Sequence, residues 1–317
     1  MNKTNWTLDQ APSQAGKIAL ITGANVGLGY ETAIGLAQKG AKVILACRNE
    51  ARGQQALQAL LAAVPGADAE LALVDLSSLA SVRRCAQALS GTLPRLDLLI
   101  NNAGIMMPPL SLSEDGFESQ FAANYTGHFL LTSLLLPLLE QSSSPLAPAR
   151  IVSLSSAAHK WGDIYFDDLN FSKAYSASKA YGQSKLACLM FAYELNRQLQ
   201  NKGSTVLSVA AHPGISVTNL GRSMPAFVQS VSGRIFQSAA RGALPTLYAA
   251  TGSGIEGGDY CGPNGWQEIS GNACKVDSNS VSKDLGVAER LWLLSQSLTR
   301  QDFFASEDYN KAATQDV

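Results

Sequence analysis

The sequence predicts a doubly wound α/β fold, a parallel sheet with helices on both faces, and three observations predict it. Hydrophobic residues make up 46% of the 317 and charged ones only 15%, the balance of a chain that buries a large core. From Lys17 onward, apolar runs of strand length alternate with longer helical patterns, as crossover-connected parallel strands require. A glycine-rich turn joins the first such strand to the first helix. Length alone would allow two domains of roughly 150 residues, but doubly wound sheets often exceed that as one unit. The reading is therefore one domain over residues 16–300, with flexible ends at 1–15 and 301–317.

Strands are expected, in order, at 17–22, 42–46, 70–74, 96–100, 150–154 and 205–210, each apolar and placed where a crossover would return. Helices are expected at 28–39, 50–63, 78–90, 115–140 and 178–201, with Gly40 and Gly203 stopping the first and last. The charge-free stretch Ser119–Leu139 could suggest a membrane span, but Gln120, Asn124, Gly127, His128 and Pro137 interrupt it. It reads as a buried amphipathic helix. After Pro213 regularity fades, and the segment 214–265, with Met224, Phe227, Val228, Ile235 and Phe236, reads as an irregular C-terminal substrate lid. A last helix is expected over 283–299.

With 24 Lys and Arg against 25 Asp and Glu, the net charge of −1 gives no electrostatic reason to expect a nucleic-acid partner. Five cysteines without a C-x-x-C pair point to reduced thiols and a cytoplasmic setting. The polar opening Met1–Gly16 offers neither signal peptide nor anchor, so no transmembrane segment is expected. The histidines His128, His159 and His212 lack ligand spacing, and no metal is expected.

The first strand runs into Thr22-Gly23-Ala24-Asn25-Val26-Gly27-Leu28-Gly29, a turn whose backbone N–H groups and following helix dipole suit a pyrophosphate. Its place at the first βα junction separates it from an ordinary tight turn. The second strand ends in Ala46-Cys47-Arg48-Asn49, with no Asp or Glu to take a ribose 2′-hydroxyl. Arg48 there predicts a 2′-phosphate and hence NADP(H). Arg52, one turn on, reads as a second contact or as solvated surface. Asp75, after the third strand, is placed to accept from an adenine amino group or to cap the next helix. Asn101-Asn102-Ala103-Gly104 ends the fourth strand, where such sheets bind ligands, although Asn and Gly also favour a plain turn.

Ser156 precedes a pair, Tyr181 and Lys185, spaced to share one helix face. A phenol with an ordinary pKa of about 10 is a poor base at neutral pH, and a neighbouring cation favours its phenolate. Tyr175 and Lys179 repeat the spacing upstream, and pattern alone does not choose between the pairs.

Taken in order, T-G-x-x-x-G-x-G, N-N-A-G, an Asn, a Ser and Y-x-x-x-K resemble the short-chain dehydrogenase/reductase family over residues 16 to about 300. More narrowly, T-G-A-N-V-G-L-G-Y-E-T-A, A-C-R-N, H-K-W-G after Ser156 and A-Y-G-Q-S-K-L-A look like its retinol dehydrogenase-like branch. That branch includes WW-domain oxidoreductases and lies near light-dependent protochlorophyllide reductases. The resemblance implies a Rossmann fold and selects Tyr181 over Tyr175, because the active Tyr of that branch lies well downstream of its Ser and precedes S-K-L-A. It implies that Ser156 orients the carbonyl, with Ser155 the weaker candidate, and that Tyr181 exchanges the proton. Lys185 would hold the ribose and favour the phenolate, and Asn124 would position a relay water. The implied cofactor shell is Gly23, Asn25, Val26, Gly27, Leu28, Gly29, Arg48, Asp75, Leu76, Asn102, Ala103, Gly104, Tyr181, Lys185, Pro213, Gly214 and Thr218. From the resemblance alone, a homodimer would pack along the helices around Asn124 and Tyr181. Unlike the membrane-bound retinol enzymes and the WW-domain group, residues 1–15 show neither an apolar anchor nor a WW module.

The function expected is an NADP(H)-dependent oxidoreductase moving a hydride between the nicotinamide and a hydrophobic ketone, aldehyde or alcohol, with Tyr181 as acid and base. Met106 and Met107, with Met224, Phe227 and Phe236 of the lid, supply its apolar pocket. Two alternatives stand beside it. One is a light-dependent reductase of a tetrapyrrole; the other is an NADP(H) sensor without turnover, which would have no chemical use for Ser156, Tyr181 and Lys185 together. His128, one turn after Asn124, reads as a buried or interface histidine. His159 and Trp161 read as lining the substrate mouth or anchoring a loop, and His212 as structural.

Overall fold

Every residue of Ile18–Thr22 is buried, because helices cover both faces of the sheet that this strand helps to build. In the computed structural model, which describes residues 5–214 and 237–304, that strand is β1. It is joined by β2 (Lys42–Cys47), β3 (Ala69–Leu73), β4 (Leu98–Asn101), β5 (Arg150–Leu154), β6 (Leu207–Ala211), β7 (Tyr260–Pro263) and β8 (Ala273–Lys275). The order across the sheet is β3-β2-β1-β4-β5-β6-β7-β8, parallel throughout except for the antiparallel pairing of β7 with β8. The chain reverses its direction of winding between β1 and β4, and their carboxyl ends open the crevice where such sheets hold ligands.

The helices are α1 (Gly27–Gln38), α2 (Glu50–Ala63), α3 (Leu79–Thr92), the short α4 (Ser119–Phe121), α5 (Gly127–Ser142), α6 (Ala177–Asn201), α7 (Ala239–Thr251) and α8 (Leu285–Thr299). Successive β residues point to opposite faces, so Leu20 and Leu99 pack with Val82, Leu135, Leu186 and Leu291. Ala19, Ile21, Leu98 and Ile100 pack on the other side with Leu36, Leu60 and Leu247. Among the described residues no helix is long and apolar enough to cross a membrane.

Three expectations need correction. The single helix expected over 115–140 is broken: a π-helical segment, Ala122–Thr126, separates α4 from α5. The lid expected over 214–265 is not irregular in its described second half. There Ala243, Leu247 and Ala250 bury the apolar face of α7, and Leu247 packs against Gly35 of α1, while Tyr260–Pro263 adds β7 to the sheet. Pro245 within the helix and the glycines around it had masked an apolar stripe that tertiary burial stabilises. Thr218, Met224, Phe227, Val228, Ile235 and Phe236 lie outside the described residues. The described stretches near both ends, residues 5–15 and 301–304, also pack where flexibility was expected. Trp6 is buried, bridges Ala273 and sits 5.3 Å from the Tyr248 ring, and Phe303 is buried with its ring 4.6 Å from Trp292.

Candidate active site

Thr22 closes β1 with its side chain fully buried. Its Oγ1 accepts the N–H groups of Asn102 and Ala103, each at 2.9 Å, and Asn102 Nδ2 donates back to the Thr22 carbonyl at 2.7 Å. The Asn-Asn-Ala-Gly run is thereby tied to the glycine turn. Gly23 holds φ at +65°, and a Cβ there would lie 2.9 Å from Ala103 Cα. A side chain at Gly29 would run into the Gly23 carbonyl and Asn102 Nδ2, so this wall is built of backbone. Asn25, Val26 and Leu28 form its partly exposed rim.

The helix rising from that wall lacks the side-chain cap that most of the others have. α1 starts at Val26 with no side-chain cap and no acid in its first turn, whereas Asn49, Ser78, Ser176, Ser238 and Asp284 accept first-turn N–H groups of α2, α3, α6, α7 and α8. Uncapped N–H groups and the positive end of the helix dipole, beside a wall that a Cβ would fill, fit the pyrophosphate of a dinucleotide.

Arg48 follows β2 with 71% of its side chain exposed, 4.0 Å from Asp75 Oδ2. Asp75 does not cap α3; Ser78 does. Instead its Oδ1 accepts the Ser77 N–H at 2.9 Å and hydroxyl at 2.6 Å, closing the preceding turn and leaving Oδ2 toward Arg48. Arg52 is exposed, and its N–H donates to Asn49. Leu76 is buried in the core with its carbonyl against Gly127, so only its backbone could meet a nucleotide. Pro213 and the positive-φ Gly214 follow β6, partly exposed.

The π-helical segment carries Asn124, 1% exposed. Its Oδ1 accepts the Ile105 N–H at 2.8 Å, and its Nδ2 donates to the Ile105 carbonyl at 3.0 Å and to Ser184 Oγ at 2.9 Å. The Ser184 hydroxyl in turn donates to the Tyr181 carbonyl at 2.9 Å. Lys185 is buried, and its Nζ donates to the Leu154 carbonyl at 3.0 Å. A Cβ on Gly104 would lie 3.1 Å from Asn124 Oδ1 and 3.4 Å from Lys185 Nζ; amide and ammonium therefore face one glycine.

Ser156 follows β5, partly exposed, and its Oγ accepts the Ala158 N–H at 3.2 Å. Ser155 is turned away, its hydroxyl donating to the Lys185 carbonyl at 2.8 Å. The turn after Ser156 packs on Tyr181's helix, with Gly162 against the Gly182 carbonyl and the half-exposed Trp161 over Gly182. Tyr181 itself is 7% exposed. The rival Tyr175 precedes α6, so Tyr175 and Lys179 do not share a helix face. Its hydroxyl donates to the Pro108 carbonyl at 3.0 Å, accepts from Gln120 Nε2 at 3.2 Å and lies 3.3 Å from Glu118 Oε1. Burial and the Glu118 charge push its pKa up.

The histidines are anchors. His159 Nδ1 donates to the Ser156 carbonyl at 2.6 Å, and burial pushes its pKa down. His212 Nδ1 accepts the Gly214 N–H at 3.3 Å, and Nε2 lies 3.1 Å from Glu268 Oε2. That partner holds the Glu268 carboxyl below the usual range, and Lys160 Nζ meets the same oxygen at 3.3 Å. Sequence reasoning missed Glu268 and Ser184. Glu268 lies far along the chain with no motif around it, whereas Ser184 was legible as the residue beside Lys185 in Y-x-x-x-K.

The family model of short chain dehydrogenases matches residues 17–228. Retinol dehydrogenase 14 of Mus musculus is 43% identical over 300 residues, covering 89% of this chain and 85% of that protein. Polyprenol dehydrogenase of Danio rerio is 37% identical over 302 residues, covering 93% and 90%. Among solved structures, an uncharacterized protein from Mycobacterium paratuberculosis superposes with a TM-score of 0.80 at 41% identity, over 95% of this chain and 100% of that one. The RhlG/NADP complex of Pseudomonas aeruginosa gives 0.64 at 30% identity, over 78% of this chain and 94% of that one.

Proposed function

The chain belongs to the short-chain dehydrogenase/reductase family, and from that premise we propose an NADP(H)-dependent oxidoreductase that interconverts an apolar alcohol with its ketone or aldehyde. The bound nicotinamide supplies or accepts the hydride. Every other task falls to this chain's side chains and backbone. The glycine wall and the uncapped N-terminus of α1 hold the pyrophosphate. Arg48, exposed and 4.0 Å from the Asp75 carboxylate, takes the 2′-phosphate, and Asp75 Oδ2 accepts from the adenine amino group.

At the reacting end, Ser156 donates a hydrogen bond to the carbonyl oxygen and stabilises the charge that develops there. Tyr181 gives that oxygen its proton on reduction and removes it on oxidation. Lys185 uses one N–H on the Leu154 carbonyl and directs its others to the ribose and the phenol oxygen. Asn124, locked to Ile105 and Ser184, sets the floor beneath both. The observation that carries this reading is the convergence of Asn124 and Lys185 on Gly104 at the carboxyl ends of β4 and β5, with Tyr181 one turn before Lys185. Partly exposed Met106 and Met107, and Trp161 beside Tyr181, supply apolar surface. Relatives named for retinol and polyprenol favour the same kind of substrate.

The test is NADPH consumption in the dark over aliphatic, aromatic, steroid and retinoid carbonyls, with turnover expected on hydrophobic members. Arg48→Ala should weaken NADPH about tenfold or more while leaving NADH nearly unchanged. Tight NADPH binding with no dark turnover, or equal effects of Arg48→Ala on both nucleotides, would count against the catalytic and the cofactor half of the proposal respectively.

A further inference from the structure

We infer that His128 is a positioning residue that locks the floor of the nicotinamide site to the glycine turn, by bridging the Asn124 carbonyl and the Thr22 hydroxyl. The inference rests on the function proposed above, because it assigns His128 to that site.

The carbonyl of Asn124, inside the π-helical segment, meets two side chains: His128 Nδ1 at 2.8 Å and Cys188 Sγ at 3.2 Å. A carbonyl only accepts, so Nδ1 carries the hydrogen. His128 is 3% exposed, and burial, aided by the Lys185 charge, pushes its pKa down to about 4. The ring is neutral at physiological pH, which leaves Nε2 as an acceptor. Thr22 Oγ1 lies 2.8 Å from it. That hydroxyl oxygen already accepts two N–H groups, from Asn102 and Ala103, so its one hydrogen is all it has to give. Nε2 takes it in preference to the Ile100 carbonyl at 3.3 Å.

One tautomer and one ring orientation therefore satisfy every polar atom in the chain of contacts. It runs from the Asn124 backbone through the imidazole to Thr22 and on to the Asn102 and Ala103 amides. The Asn124 side chain already holds Ile105, just after the Asn-Ala-Gly turn, and His128 adds a second tie, from the Asn124 backbone to the amides that begin that turn. His128 is buried behind Asn124 and Thr22, with both ring nitrogens on protein partners, so its effect is on position.

Three variants separate the two halves of the bridge. In His128→Asn an amide N–H can stand at the Nδ1 position and keep the Asn124 bond. In His128→Gln a carbonyl oxygen can reach the Nε2 position and keep the Thr22 bond. His128→Phe keeps neither. The readouts are hydrogen exchange of the peptide holding the Asn102 and Ala103 amides, the NADPH dissociation constant, and kcat. Relative to wild type, His128→Phe is expected to speed exchange at those amides and weaken NADPH, each about tenfold, and to lower kcat by a similar factor. His128→Gln should restore exchange protection and NADPH affinity but not kcat; His128→Asn should restore kcat but neither of the others. Should His128→Phe not fold, the opposed behaviour of the Asn and Gln variants decides alone. Identical behaviour of those two, or exchange at Asn102 and Ala103 that no variant changes, would overturn the inference whatever happens to thermal stability. Exchange and NADPH binding need no substrate. A wild-type protein that turns over nothing would thus count against the proposed function while the exchange pattern still judged His128.

Discussion

Tyr181 and Tyr175 share a spacing to lysine but not an environment. Tyr175 is held by Pro108, Gln120 and Glu118, and the neighbouring carboxylate disfavours its phenolate. Tyr181 lies on α6 one turn before the buried Lys185. Tyr181→Phe is expected to lower kcat by about a thousandfold with NADPH binding nearly intact. Tyr175→Phe should keep kcat and lose about 1 kcal/mol of stability; kinetics and thermal melts check both, and the reverse pattern would refute the assignment. His128 gives a pH signature of its own. Its folded pKa lies below its unfolded value, so its contribution to stability is complete above pH 6.5 and is lost as pH falls through about 4. Denaturant titrations across that window should lose on the order of 3 kcal/mol, and His128→Gln should flatten the loss.

At the scale of the element, the first βα unit is the part of the site most legible in sequence. A strand, a glycine turn and a helix beginning at Gly27 follow one another without interruption, and each contact is local. Gly29→Ala tests that unit: its methyl would meet the Gly23 carbonyl and Asn102 Nδ2. The expected result is a loss of NADPH binding of at least about tenfold and a lower melting temperature, read by nucleotide titration and thermal melt. The proposed set Asn124, Ser156, Tyr181 and Lys185 rests on a different signal, a series of residue types in a fixed order. What sequence could not convey was the π-helical segment, since its extra residue falls within the charge-free stretch 119–139, where nothing in the residue types marks a break in the helix. Nor could it reveal α7, whose apolar stripe is short, carries Pro245 and is stabilised by α1 rather than by its own propensity.

The whole molecule explains why residues so far apart in the chain come together at one edge of the sheet. Parallel pairing of β1 with β4 and of β4 with β5 puts Thr22, the Asn-Asn-Ala-Gly run and Ser156 at neighbouring carboxyl ends. The π-helical segment and α6, packed on one face of that sheet, then set Asn124 against Ile105 and Lys185 against Leu154, with Tyr181 one turn earlier on α6. The long-range anchors, Glu268 on His212 and Trp6 against Tyr248, follow no local pattern, so only the folded chain reveals them. The most direct test of the central claim is a single-turnover reaction in the dark with NADPH deuterated at the transferable nicotinamide position and a hydrophobic aldehyde, analysed by mass spectrometry. Deuterium on the carbinol carbon of the alcohol, with wild type and not with Tyr181→Phe, is the result expected. Tight NADPH binding with no deuterated alcohol from any carbonyl tried, or equal transfer by Tyr181→Phe, would contradict it.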